Sequence, residues 1–130
     1  HLYALQFYQV PTSAAVHLVG GALDAAVMRE PFVRQHRYLR CQYYVMVHRN
    51  EDAKRELISL VAQDPKYYYG WLLLAKVYQL EHDSSGFARA LSGAQKASRD
   101  DLIYQLLFRA RHEPDVTKIP LDIPNLLGAL

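Results

Sequence analysis

The residue types with the clearest capacity for chemistry are one cysteine and six histidines. Cys41 would be a nucleophile if a histidine lay within hydrogen-bond reach, because a general base converts the thiol into the reactive thiolate. His36 is a candidate, five residues earlier on a predicted helix. Since neighbours on a helix face are three or four residues apart, His36 points to a different face. We therefore expect Cys41 to be a buried packing thiol, which behaves as a small apolar side chain.

A second arrangement that suggests chemistry is the pair His48 and His82, which occupy two similar turn-like segments. A metal ion shared by both would need ligand distances of about 2 Å. Equivalent turns of stacked helices lie about 10 Å apart, so one ion could not bridge them. The sequence also contains no GxSxG, HExxH, Walker or CxxC motif. We expect no metal, no cofactor and no catalytic activity.

Helical periodicity dominates the rest of the chain. Apolar residues recurring every three or four positions predict helices over residues 1–10, 13–29, 32–48, 51–63, 68–81, 86–98 and 101–111. Pro31 and Pro65 mark turns before two of these helices, since proline is favoured at a helix start. Arg49-Asn50 is a natural stop because asparagine tolerates the left-handed conformation. Ser84 or Ser85 is a good cap for the helix that follows.

Gly20 and Gly21 lie inside the predicted helix over residues 13–29. Two glycines in a helix interior cost about 1 kcal/mol each relative to alanine. Either a neighbouring helix packs very closely at this point or the helix bends there, and the sequence leaves both explanations open.

The segment 53–78 carries a further pattern, this time of residue types. An alanine and a leucine four apart are followed by a proline and then by tryptophan, leucine, alanine and tyrosine: Ala53, Leu57, Pro65, Trp71, Leu74, Ala75 and Tyr78. This pattern resembles the tetratricopeptide repeat, whose signature combines W-x2-L-G-x2-Y, A-x3-F and P with a period of about 34 residues. Ala75 stands for the usual glycine and Leu57 for the usual phenylalanine, which keeps the small and large positions.

The same 34-residue period recurs along the chain. Pro65 maps onto Pro31 and Ala75 onto Cys41, so the turn and the small residue both stay in place. Self-similarity at one fixed interval is typical of stacked-repeat folds. The alternative is a generic helical bundle whose apolar residues align by chance.

The resemblance implies an all-α fold, a right-handed α-solenoid of about three antiparallel helix pairs in a single domain spanning residues 1–130. The repeats would cover residues 1–33, 34–67 and 68–101, with a capping helix at 101–111. The tail, residues 112–130, contains three prolines, which exclude a continuous helix. Its many aliphatic residues predict that it packs back on the domain or docks on a partner.

In the tetratricopeptide family the first helix of each repeat lines a concave surface that binds peptides or partner helices. The resemblance implies that this groove presents Gln35, Tyr38, Gln42, Val45, Met46, Tyr69, Leu72, Lys76, Gln79 and Leu80. Lys76 is the one basic residue in the set, so the carboxylate clamp of chaperone-binding members is not expected. An apolar groove with tyrosine and methionine suits an amphipathic helix or an extended apolar segment. Alternatively, Tyr38, Tyr69 and Leu72 touch a neighbouring repeat or the tail.

The expected function is non-catalytic protein–protein interaction, as an adaptor or assembly scaffold. Two alternatives stay open: a chaperone of a secretion or assembly system that masks an apolar client segment, and an oligomerisation domain that self-associates through residues 112–130. The net charge of +2 gives no electrostatic footprint for nucleic acid, and the broken apolar runs predict no membrane insertion. A lone cysteine is consistent with a reducing, cytoplasmic location, for this chain or for a larger or membrane-attached protein that contains it.

Overall fold

The computed structural model describes residues 13–98 and 101–124. Over these ranges the chain is helical and has no strand, which confirms the all-α class. The helices are α1 (Ser13–Arg29), α2 (Arg34–Met46), α3 (Asn50–Gln63), α4 (Tyr68–Leu80), α5 (Ser84–Ser98) and α6 (Asp101–His112), followed by a 3-10 turn at Val116–Lys118. The helix predicted over residues 1–10, and with it the first helix of the proposed repeat 1–33, lies outside the described residues.

The chain divides into two compact units. The first comprises the described residues up to Ala53 together with Pro124, and the second runs from Lys54 to Ile123. The boundary falls inside α3. None of the described helices is both long and apolar enough to cross a membrane.

In the first unit α1 packs against α2. Their shared core is Leu23, Leu39 and Tyr43. A Cβ placed on Gly20 would lie 2.5 Å from the Tyr43 hydroxyl oxygen, whereas one on Gly21 would meet nothing within 4 Å. Close packing therefore explains Gly20, and the structure offers no packing reason for Gly21.

In the second unit α5 packs against both α4 and α6. Two glycines on α5 receive aromatic rings from α4, because a Cβ on Gly86 or Gly93 would come within 2.4 Å of the ring of Tyr78 or Trp71 respectively. The Trp71 indole is fixed further by its Nε1, which donates to the Pro65 carbonyl oxygen at 2.8 Å. Because Gly86 and Gly93 have no side chain, α5 leaves room for the large aromatic side chains of α4.

The loops that lead into α2 and α4 have the same local geometry, one sequence period apart. The Val33 N–H donates to the Glu30 carbonyl at 3.1 Å, and the Tyr67 N–H donates to the Asp64 carbonyl at 3.0 Å. Val33 has φ −83° and ψ 102°, and Tyr67 has φ −80° and ψ 89°. The two helices that follow contain 13 residues each.

The turns that end α2 and α4 also match. His48 and His82 both have positive φ, 63° and 58°. The His48 N–H donates to the Val45 carbonyl and the His82 N–H to the Gln79 carbonyl, each at 3.1 Å. The prediction that these histidines occupy equivalent turns is therefore confirmed at the level of local structure.

Two predicted helix signals are wrong in detail. The left-handed residue is His48, and Asn50 begins α3 instead of ending the helix before it. Histidine is one of the non-glycine residues enriched in this conformation, so the signal was present in the sequence. At the start of α5 the cap is Asp83, whose Oδ1 accepts from the Gly86 N–H at 2.9 Å, and not one of the serines that follow it.

Burial follows the same period. Cys41 and Ala75, which share the small-residue position, are both fully buried, and so are Leu57 and Leu91. Phe87 is fully buried too, although the position one period earlier holds a small residue, Ala53. The sequence period thus recurs as turn geometry and as burial.

Candidate partner-binding surface

Helix α2 carries the first half of the predicted groove residues, and these residues differ in solvent exposure. Gln35 is exposed, Val45 and Met46 are half-buried, and Tyr38 and Gln42 are buried. Tyr38 has no accessible surface, so its ring belongs to the interior of the first unit. This agrees with the alternative in which Tyr38 touches other parts of the chain.

Helix α4 carries the second half. Tyr69 and Leu80 are exposed, at 42% and 43%, and Lys76 is half-buried. Leu72 and Gln79 are buried at 4% each, which is unusual for glutamine. A buried carboxamide needs hydrogen-bond partners, because leaving it unsatisfied costs about 1–3 kcal/mol.

The partners of Gln79 are main-chain carbonyls of the tail. Its Nε2 donates to the Val116 oxygen at 2.8 Å and to the Ile119 oxygen at 2.7 Å. Its Oε1 accepts from Lys76 Nζ at 3.3 Å. Both amide hydrogens and the amide oxygen are therefore used, and the positive charge of Lys76 polarises the carboxamide further towards donation.

The tail side chains at this point are buried as well as its carbonyls. Val116 and Ile119 are both 2% exposed, whereas Thr117 and Lys118 between them are exposed. Two aliphatic side chains three residues apart thus point inward. Over these residues this agrees with the first of the two predicted alternatives, in which the tail packs back on the domain.

Gln42 makes a similar contact within the first unit. Its Nε2 donates to the Pro124 carbonyl at 2.9 Å and to the Tyr38 hydroxyl at 3.2 Å. The rest of the predicted tail, residues 125–130, lies outside the described ranges. In each unit a glutamine that we predicted to line the groove donates its amide to a backbone carbonyl of the tail.

The 3-10 turn that presents the tail is held by its own cap. Asp115 Oδ1 accepts from the Thr117 N–H at 3.0 Å and also from the Thr117 hydroxyl, while the Asp115 N–H donates to Glu113 Oε1 at 3.1 Å. These hydrogen bonds from Thr117 lower the pKa of Asp115 below its usual range, with smaller electrostatic contributions from Lys118 and His82. The turn is therefore favoured while Asp115 is ionised.

A separate hollow of about 410 Å³ lies in the second unit, lined by residues of α3, α4 and α5. Trp71, Leu74 and Tyr78 contribute apolar walls, and Arg89 is the charged residue in the lining. Arg89 Nη1 donates to Ser85 Oγ at 2.8 Å. The hollow shares no lining residue with the contact between Gln79 and the tail.

Cys41, His48 and His82, the residues with the clearest capacity for chemistry, have structural positions in the fold. Cys41 is a fully buried thiol outside any disulfide, as expected from its small-residue position. Among the described residues no group of three or more His, Cys, Asp or Glu side chains is arranged to hold a metal ion. His48 and His82 serve as left-handed turn residues.

No family model, curated protein or solved structure matches this chain. The resemblance to the tetratricopeptide repeat therefore depends on the residue pattern of segment 53–78 and on the recurring period.

Proposed function

We propose that this chain is a non-catalytic protein–protein interaction module that binds a partner segment on the face of α4 around Gln79. The observation that carries the proposal is that this face already holds a stretch of polypeptide, through hydrogen bonds from a side-chain amide to main-chain carbonyls. Because backbone carbonyls are common to all sequences, a surface that binds one such segment is able to bind another of the same shape.

The wider architecture that we propose is a right-handed solenoid of tetratricopeptide-like helix pairs. Its support is the periodic recurrence of turn hydrogen bonds, of left-handed histidines and of buried small residues. In such a stack α2 and α4 are the first helices of their repeats and line the concave side. The exposed side chains Gln35, Tyr69 and Leu80 would then be available to a partner.

A second candidate function is that of an assembly chaperone that masks an apolar client segment. It is favoured by the kind of side chain that the surface covers, since Val116 and Ile119 are aliphatic and almost fully buried. The two candidate functions share the same surface and differ in whether binding keeps the partner soluble. Client solubility that depends on this chain would distinguish a chaperone from a scaffold.

The proposal is tested by site-specific photocrosslinking on the full chain. A photoreactive phenylalanine analogue replaces Tyr69 on α4 or, as the matched control, Tyr104 on α6; both tyrosines are exposed, at 42% and 58%. Each variant is irradiated in an extract of the cells that produce the protein. Circular dichroism verifies that the helical content is unchanged.

We expect a discrete protein adduct from position 69 that is absent from position 104. Lys76→Ala should reduce the yield of that adduct, because it removes the cation that polarises Gln79. Identical adducts from both positions, or none from position 69, would refute the assignment of this face.

A further inference from the structure

We infer that the Gln79 face selects a proline-containing segment with two aliphatic side chains three residues apart. In this chain its own segment Val116–Pro120 occupies that face, so a partner must displace this segment to bind. The inference rests on the function proposed above and specifies its ligand and its regulation. It draws on the hydrogen-bonding capacity of Gln79, the spacing of the buried tail residues and the covalent attachment of the tail.

The donors and acceptors of Gln79 determine which groups a bound segment must present. Gln79 Oε1 is engaged by Lys76, so Gln79 offers the tail only its two amide hydrogens. A segment suited to this side chain must present carbonyls. Pro120, which directly follows the Ile119 acceptor, fits that requirement because it has no N–H to leave unsatisfied. Ile119, which precedes Pro120, has φ −84° and ψ 120°, the extended conformation that a following proline favours.

The side chains of the tail differ in burial. Val116 and Ile119 are buried, while Thr117 and Lys118 point to solvent. The main-chain hydrogen bonds hold a segment whatever its sequence, and the covered side chains supply the selectivity. A ligand of the form aliphatic-x-x-aliphatic-Pro would place equivalent groups at the same points.

The tail competes with any separate ligand for this face. Only three residues, Glu113 to Asp115, separate α6 from the 3-10 turn. A short covalent connection gives the tail an effective concentration in the millimolar range. A ligand supplied as a separate molecule therefore meets an occupied surface, and its apparent affinity equals its intrinsic affinity multiplied by the fraction of molecules in which the tail is detached.

Gln42 supplies an independent instance of the same chemistry. It donates to the carbonyl of Pro124, again a proline-associated acceptor in the tail. The first unit thus contains a second glutamine whose amide is directed at backbone carbonyl oxygen.

The test is direct binding in trans to the full chain. The probe is a fluorescein-labelled peptide with the sequence of residues 113–124, measured by fluorescence anisotropy. The control probe carries serine in place of Val116 and Ile119 and has the same charge. The proteins are wild type, Ile119→Ala, and Ile119→Ala combined with Gln79→Ala.

Because Ile119→Ala weakens the packing of the chain's own tail on this face, it should increase the affinity for the probe by at least about tenfold over wild type. Gln79→Ala should reverse most of that gain, since it removes both hydrogen bonds to the probe. The control probe should bind at least about tenfold more weakly to Ile119→Ala. If near-UV circular dichroism shows that Ile119→Ala has lost its packing, Val116→Ala replaces it with the same expectations.

Equal affinity of wild type and the tail variant would show that the tail does not compete, and equal binding of the two probes would show that the aliphatic pair is not recognised. Either result overturns the inference. If no probe binds and position 69 still captures a partner, the inference fails and the proposed function stands. If the probe binds as expected and no partner is captured, the proposed function fails instead.

Discussion

Alanine substitution at Gly20 and Gly21 offers a matched test of the packing between α1 and α2. The two residues are adjacent in the same helix and gain the same intrinsic helix propensity on substitution, about 1 kcal/mol. Gly20 is buried against Tyr43, and Gly21 is exposed with open space around it. The difference between the two variants therefore isolates the steric term.

The magnitude of that steric term follows from the distances. A Cβ on Gly20 would lie 2.5 Å from the Tyr43 hydroxyl oxygen and 2.6 Å from Cζ. The ring must retreat from 2.5 Å to ordinary contact near 3.4 Å, that is, by about 0.9 Å. Overpacking of this kind costs about 1–3 kcal/mol. We expect Gly21→Ala to stabilise the protein by up to about 1 kcal/mol and Gly20→Ala to be neutral or to destabilise it by up to about 2 kcal/mol.

Urea unfolding followed by far-UV circular dichroism measures both variants. An interval of about 1–3 kcal/mol corresponds to midpoints separated by roughly 1 M urea at unchanged m-value. A background of Tyr43→Val, the residue type found one period later at Val77, supplies the control because it removes the ring. In that background Gly20→Ala should stabilise as Gly21→Ala does. Equal midpoints for the two alanine variants in the wild-type background would refute the packing argument.

Three further predictions concern individual residues. Replacing His48 or His82 with glycine should raise the free energy of unfolding by up to about 1 kcal/mol each, since glycine adopts positive φ without strain; a lower urea midpoint for either variant would show that the imidazole contributes contacts. Asp115 has a lowered pKa in the folded chain, so its contribution to stability is present above its ordinary value of 3.8 and is lost as the pH falls through the folded value; the protection of the Thr117 N–H, measured as its exchange rate relative to the intrinsic rate at each pH, should fall only in that acidic window. The Cys41 thiol should react with a thiol reagent only after unfolding, and fast reaction of the native protein would contradict its burial.

The tail shows where sequence reasoning reached its limit. Its prolines excluded a helix and its aliphatic residues predicted burial, both from local composition. The partner of Val116 and Ile119 was not predictable, because Gln79 lies 37 and 40 residues away in the chain. A glutamine on a helix is usually a surface residue, and its residue type does not predict that both amide hydrogens donate to the tail. Gln79 was assigned to an open groove, whereas in the structure the tail covers it.

The sequence by itself determined the helices, their approximate ends and the regular period of the turns. These features are local: an apolar stripe every three or four residues, a proline or a capping side chain, and a residue that accepts the left-handed conformation. Tertiary structure alone decided that Gly20 accommodates Tyr43 and that Gln42 and Gln79 hold the tail. Such contacts join residues far apart in sequence, and their energy depends on which groups the fold brings together and shields from water.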